Sequence, residues 1–268
     1  VSIGIRAAIG LNRVAGKVIY NRLRLVSFIS PIILLLVWAW VTHLQLISPQ
    51  LLASPLQIFD SFQELVASGD LQEHLLKSLS RLVFGYSIGA FAGLLFGILM
   101  ALSKNVEDYF HPLFQAVRQV PIIALIPIFI LLLGIDEIFK IAIVINAAFL
   151  AVALASYEAT KGVPKPYFEV AQAYQLPTLT VYRKLVIPAI LPPVLTGLRI
   201  AFARSWTILV ASELLVADSG IGQMMQMGRD MFRLDIVLVG VVLTGAIGFT
   251  IDRLFKWGEA NLIPWRVA

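Results

Sequence analysis

The chain has 268 residues, 59% hydrophobic and 14% charged, with a mean hydropathy of +0.87. A soluble domain carries about a quarter charged residues, so this composition excludes a soluble globule and requires a polytopic membrane protein. The net charge of +5 comes from scattered basic residues with no stripe of stacking aromatics, which excludes a nucleic-acid surface. The absence of Cys excludes disulfides and thiolate metal sites, and His43, His74 and His111 lie too far apart in sequence for a local metal motif.

Residues 1–24 contain no acid, and Arg6, Arg13, Lys17 and Arg24 share one helical face, the pattern of a basic amphipathic segment lying on the cytoplasmic membrane surface. The apolar run that follows reaches Ile47 with no small-residue cleavage signal, which favours a first transmembrane helix over a signal peptide. Ser48 to Glu73 holds four acids and no Lys or Arg, and reads as an outside loop with a surface helix near Leu56 to Ala67. A second span covers about Leu76 to Leu102, where Gly85, Gly89, Gly93 and Gly97 form a ridge for close helix approach. Gly85-Tyr86-Ser87-Ile88-Gly89 matches the serine-hydrolase pattern, but that chemistry needs a strand-to-helix elbow, so Ser87 reads as a small packing residue.

A third span, about Pro112 to Leu133, carries Pro121 and Pro127 and is expected to be kinked or broken, with Arg118 just before the first kink. The fourth covers about Ile138 to Ser156, the fifth about Ile190 to Val216 and the sixth about Asp235 to Trp257. Predicted inside segments hold thirteen Lys or Arg and outside loops hold two, Arg229 and Arg233. The positive-inside rule therefore places both termini in the cytoplasm, together with the polar stretch Tyr167 to Pro192.

That stretch, about 159–189 with its flanks, is an acid and a small residue two apart (Glu169, Ala171), a turn (Gln175, Leu176, Pro177), a basic pair (Arg183, Lys184) and two X-Pro pairs. Residues 167–175 are expected to form about two helical turns, with Glu169 near the N-terminus where a carboxylate suits the dipole. Composition alone also fits an ordinary wet loop. The order resembles the cytoplasmic EAA loop of ABC importer permeases, with Val170 replacing the middle Ala and Gln175 standing where Gly is usual. Further stretches resemble the nitrate, sulfonate, taurine and bicarbonate branch of those permeases: Arg118-Gln119-Val120-Pro121 with Ile126-Pro127, Leu133 to Glu137 with Lys140, Thr196 to Ile200, Trp206 with Ala211 to Leu214, and Ser219 to Gly222. They cover about residues 75–255.

The resemblance implies an all-α type I importer (MetI-like) fold of about six transmembrane helices over residues 25–268, in the bacterial inner membrane. It also implies a permease homodimer, two cytoplasmic ATPase subunits that bind ATP and Mg, and an extracytoplasmic solute-binding protein. The chain itself takes no cofactor, is not an enzyme, and contacts membrane lipid but not nucleic acid. Glu169, Val170, Ala171, Gln175 and Leu176 would then couple to the ATPase. Arg118, Arg199 and Arg204 lie in or near spans, where a cation faces a cavity or a partner. With Trp206, Ser212 and Glu213 they are the candidates for a path that carries a small anion. The alternative for each Arg is a structural pairing, since Arg199, Trp206 and Glu213 recur every seventh residue on one face. The alternative for the whole chain is a self-sufficient secondary transporter or channel, for which intramembrane acids and internal repeats are the expected marks.

Overall fold

A computed structural model describes residues 29–48, 52–216 and 218–263. The basic segment 1–24 lies outside the described residues. The described part is helical throughout: α1 Ile29–His43, α2 Pro55–Ser68, α3 Asp70–Leu102, α4 Lys104–Val117, a 3-10 turn Ile122–Leu125, α5 Ile126–Leu133, α6 Glu137–Lys161, α7 Lys165–Ala173, α8 Thr178–Val181, a π turn Tyr182–Val186, α9 Ile187–Leu215, α10 Ile221–Asp230 and α11 Leu234–Leu262. Four of these segments are long and apolar enough to cross a membrane: α3, α6, the continuous run Thr178–Leu215 that contains α9, and α11. The third predicted span is a broken one, α4 and the Ile122–Leu133 segment meeting at 86°. The first piece stops at Val117, Pro121 precedes the 3-10 turn, and Pro127 lies in the first turn of α5, at a position that needs no backbone donor. The first predicted span corresponds to α1, a 15-residue apolar helix with no buried residue. It is tied to the rest by the Trp38 indole N–H, which donates to the Ala53 carbonyl at 3.1 Å.

The centre of the molecule is α3 against α6, running parallel. The glycine ridge makes this possible: a Cβ at Gly85 would lie 2.7 Å from the Val144 Cβ, and one at Gly93 would lie 2.6 Å from the Phe149 carbonyl oxygen. The ridge is thus occupied by the chain's own helix, and it lends nothing to pairing between two copies. Antiparallel α9 closes the other side of α6, with Gly197 against Ala155 and an apolar cluster of Leu82, Val144, Trp206, Leu209, Val210 and Ile221. Ser87 lies exposed on the outward face of α3, within unbroken helix, so it has neither an elbow nor the packing role expected of it.

The bundle has two distinct ends. One carries α2 and α10. The other carries α7, whose N-terminus falls at Lys165 because Pro166 suits the first helical turn. Glu169 is consequently mid-helix, and the expected dipole contact of its carboxylate is absent, since the first turn contains no acid.

Candidate functional site

Three features stand out from the packed body. At the α10 end lies a knot of charge, buried except for Glu137, which is half exposed at its edge. Arg81, 1% exposed, is fully paired: Nε and Nη2 donate to Glu137 at 2.6 and 2.5 Å, Nη1 to Glu213 at 2.7 Å, and Nη1 and Nη2 to the Ser219 carbonyl and hydroxyl at 2.7 Å each. All five donors of the guanidinium are therefore used. Lys140, equally buried, stands 3.6 Å from Glu137, so two cations face two carboxylates and the knot is neutral. A buried charge of this kind persists only when paired and hydrogen-bonded. Ser78 donates to both Glu213 oxygens at 2.8 Å. The turn Ser219 to Gly222 is held by the same group: Gly220 N–H donates to His74 Nδ1 at 3.0 Å, Ile221 N–H to Ser78 at 2.9 Å and Gly222 N–H to Glu213 at 3.1 Å. These are the first amides of α10, which a helix cannot satisfy internally. Gly220 has φ +115°, and a side chain there would collide with the Glu213 carboxylate.

The second feature is a groove along α9. One cavity of about 690 Å³ is lined by the break at Pro121, Ile122 and Ile123, by Arg199, Ile200, Ala203, Arg204, Thr207 and Ala211 of α9, and by Asp252 of α11. Another, of about 580 Å³, continues from Ile200 through Thr196, Pro193 and Ala189 to Gly162 and Glu158. The α9 residues involved recur at intervals of three and four, so they form one face of the helix. From Ala189 to Ala211 that face extends about 33 Å at 1.5 Å per residue, close to the thickness of a bilayer's hydrocarbon core. Arg204 sits on this face, exposed, with no ion pair among the described residues. Arg199, on the same wall, stands 3.6 Å from both Asp252 and Glu259.

The remaining sequence-derived candidates lie elsewhere. Trp206 is 4% exposed and its indole N–H donates to the Thr244 carbonyl at 3.1 Å. Ser212 is buried and donates to Leu209 O at 2.7 Å. Glu213, 1% exposed, belongs to the knot, where its cation is Arg81 and not Arg199. Arg118 ends α4 half-buried, with its Nε buried and without a hydrogen-bond partner among the described residues. The groove therefore brings together Arg199 and Arg204 but not the other four. Arg81 was missed by sequence reasoning, although a cation inside an apolar run is the signal that marks such a residue.

The third feature is α7. Ala171 is buried, 4% exposed, while Tyr167, Val170 and Tyr174 stand 52%, 56% and 77% exposed along one face. Gln175 has φ +49°; its N–H donates to Gln172 O at 2.9 Å, and Leu176 N–H donates to Ala171 O at 3.0 Å. This is a Schellman cap, whose left-handed position favours Gly.

A helical body of apolar spans, with a groove along one of them and an exposed apolar ridge at one end, is that of a multi-pass membrane protein with surfaces open to other molecules. Residues 93–263 match the family described as binding-protein-dependent transport system inner membrane component, and the chain belongs to that family. SsuC of Bacillus subtilis (strain 168), a candidate aliphatic sulfonates transport permease, is 34% identical over 90% of this chain and 87% of its own length. The taurine transport system permease protein TauC of Escherichia coli (strain K12) is 32% identical over 87% of this chain and 86% of its own. The nitrate import permease protein NrtB of Synechocystis is 27% identical over 80% and 81%. Among solved structures, a chain of the inward-facing MetNI methionine ABC transporter aligns with a TM-score of 0.55 at 18% identity, over 69% of this chain and 94% of that one. An amino acid ABC transporter aligns with a TM-score of 0.58 at 15% identity, over 77% and 96%. The fold is that of a MetI-like importer permease. The chain is a permease subunit of an ABC importer and not an enzyme, ATP hydrolysis belonging to a separate subunit.

Proposed function

We propose that the α9 groove is one wall of a path for a small solute bearing an anionic group, of the sulfonate, taurine or nitrate kind, with Arg204 as the cation that group meets. A second copy of the chain supplies the opposite wall. A solute-binding protein delivers cargo at the α10 end, and two ATPase subunits, which bind ATP and Mg²⁺, dock on α7 at the cytoplasmic face of the bacterial inner membrane. The lysine and arginine distribution supports this orientation.

The observation that carries the reading is Arg204, a guanidinium with no ion pair among the described residues, about two-thirds of the way from Ala189 to Ala211 along a mainly apolar groove of bilayer length. An intramembrane cation of this kind faces a cavity and marks an ion or substrate pathway. Arg199 adds a second positive group, held loosely enough by Asp252 and Glu259 to turn toward an entering anion. The test is ATP-driven uptake of labelled taurine and nitrate by the complex in proteoliposomes. Arg204→Gln is expected to lower uptake at least about tenfold, the loss of roughly one charge-assisted contact, with the complex still assembled. Wild-type uptake by Arg204→Gln would remove Arg204 from the path. Uptake without the ATPase would overturn the coupling.

A further inference from the structure

We propose that His74 and Arg81, both on α3, are positioning residues that fix the start of α10 to α3 and, through the Arg81 bond to Glu213, to α9, so that contact made at α10 by the delivering protein is relayed to the groove wall. The inference rests on the permease reading above and assigns to the buried knot a part in transport.

The geometry that points to it is the way the Ser219 to Gly222 turn is held. Each of its four residues is bound by a side chain of α3 or α9: Ser219 by Arg81, Gly220 by His74, Ile221 by Ser78 and Gly222 by Glu213. No stretch of the turn is left to move independently. The last of these residues, Glu213, lies two residues beyond Ala211 and six beyond Thr207, both of which face the groove. Helix α9 therefore presents one face to the cavity and another, through Glu213, to the N-terminus of α10. At its far end α10 packs on α11, Gly228 being close to Ile236. It ends in an exposed tip of Arg229, Asp230, Met231 and Phe232, with Phe232 86% exposed at φ +56°. Between its clamped base and exposed tip α10 is packed along its length, Met224 against Ile236 and Val239 and Met225 against Gly240, and packed elements of this kind move between discrete arrangements together.

The experiment uses the complete complex in proteoliposomes with a taurine-loaded solute-binding protein on the α10 side. His74→Ala combined with Ser219→Ala removes two anchors of the turn and leaves the Arg81, Glu137 and Glu213 pairs in place. This double variant is expected to lower the uptake kcat about tenfold, as for two hydrogen bonds, with KM for the binding protein and basal ATP hydrolysis unchanged. A spin label on Arg229→Cys, in a chain with no other Cys, becomes more mobile in the double variant. His74→Asn, which keeps an acceptor near the Nδ1 position, restores both readouts to wild type when Ser219 is present, whereas His74→Ala alone does not. Wild-type turnover in the double variant, a change in KM alone, or failure of His74→Asn to outperform His74→Ala would each overturn the relay. Lack of dependence on the binding protein in the wild type would instead overturn the permease's assigned partner, and the relay with it.

Discussion

Gln175 is the residue where local physics and sequence pattern meet most directly. The Schellman cap of α7 needs a left-handed residue, a conformation that costs an L side chain about 1–2 kcal/mol and Gly very little. That is a physical reason for the Gly usual at this position of the EAA loop, and it shows that Gln175 keeps the cap's geometry at some cost. Gln175→Gly is predicted to raise the stability of the α7 turn by up to about 1 kcal/mol, visible as slower hydrogen exchange of the Leu176 amide; faster exchange would contradict it. A second residue-scale prediction concerns Glu64, which Arg233 hydrogen-bonds at 3.0 and 2.8 Å. The hydrogen bond, with the charge of Arg233 behind it, holds this carboxyl below the ordinary carboxylate value of 4.5. Its contribution is accordingly present above that value and is lost as pH falls through the lowered one. The titration midpoint of Glu64, followed by carbon NMR, should move back toward 4.5 in Arg233→Gln. Arg81 marks the limit of sequence reading at this scale. A cation inside an apolar run is legible as an anomaly, yet its partners Glu137 and Glu213 lie 56 and 132 residues away, and no local periodicity connects them.

Among the elements, the helices were legible because apolar length alone specifies a span, and the break in the third followed from two prolines. What each face meets was not legible, because a small-residue ridge suits a neighbour in the same chain as well as one in another copy. The α3 ridge is taken up by α6. Gly89→Val should therefore cost about 1–3 kcal/mol or more through overpacking of the α3 and α6 backbones. Gly245→Ala, inside α11 with nothing within 4 Å of the added Cβ, should cost nothing and raise stability by up to about 1 kcal/mol. Thermal unfolding of the purified chain distinguishes the two, and equal effects would refute the packing argument. The same blindness to faces applies to α7. The motif draws the eye to Ala171, but Ala171 is buried within the chain, and the side chains available to a partner are Tyr167, Val170 and Tyr174. An exposed apolar ridge at a polar end is a protein-binding surface more than a lipid one. Ala171→Glu is thus predicted to disturb the permease's own fold around α7, whereas Val170→Glu leaves the permease folded and abolishes ATPase pull-down. ATPase binding by Val170→Glu at wild-type strength would place the docking surface elsewhere.

At the scale of the whole molecule, a groove open along one side of a single chain is half of an enclosure. Its length matches a bilayer, it carries two arginines, and among the described residues nothing covers Arg204. Closed symmetric pairing is the common solution among soluble oligomers, and here it would set two copies of the α9 face across one path. This arrangement makes a quantitative prediction that separates it from two independent paths. If wild-type and Arg204→Gln chains are mixed in equal amounts before assembly, random pairing leaves about one quarter of the complexes with two intact chains. A shared path needing both arginines then yields uptake near a quarter of wild type, while separate paths yield about half. Native mass measurement of the same preparations fixes the copy number, each copy contributing 29.5 kDa. A linear fall of uptake with the mutant fraction, or a complex containing a single permease chain, would show that one copy suffices and that the groove is closed by something other than its own twin.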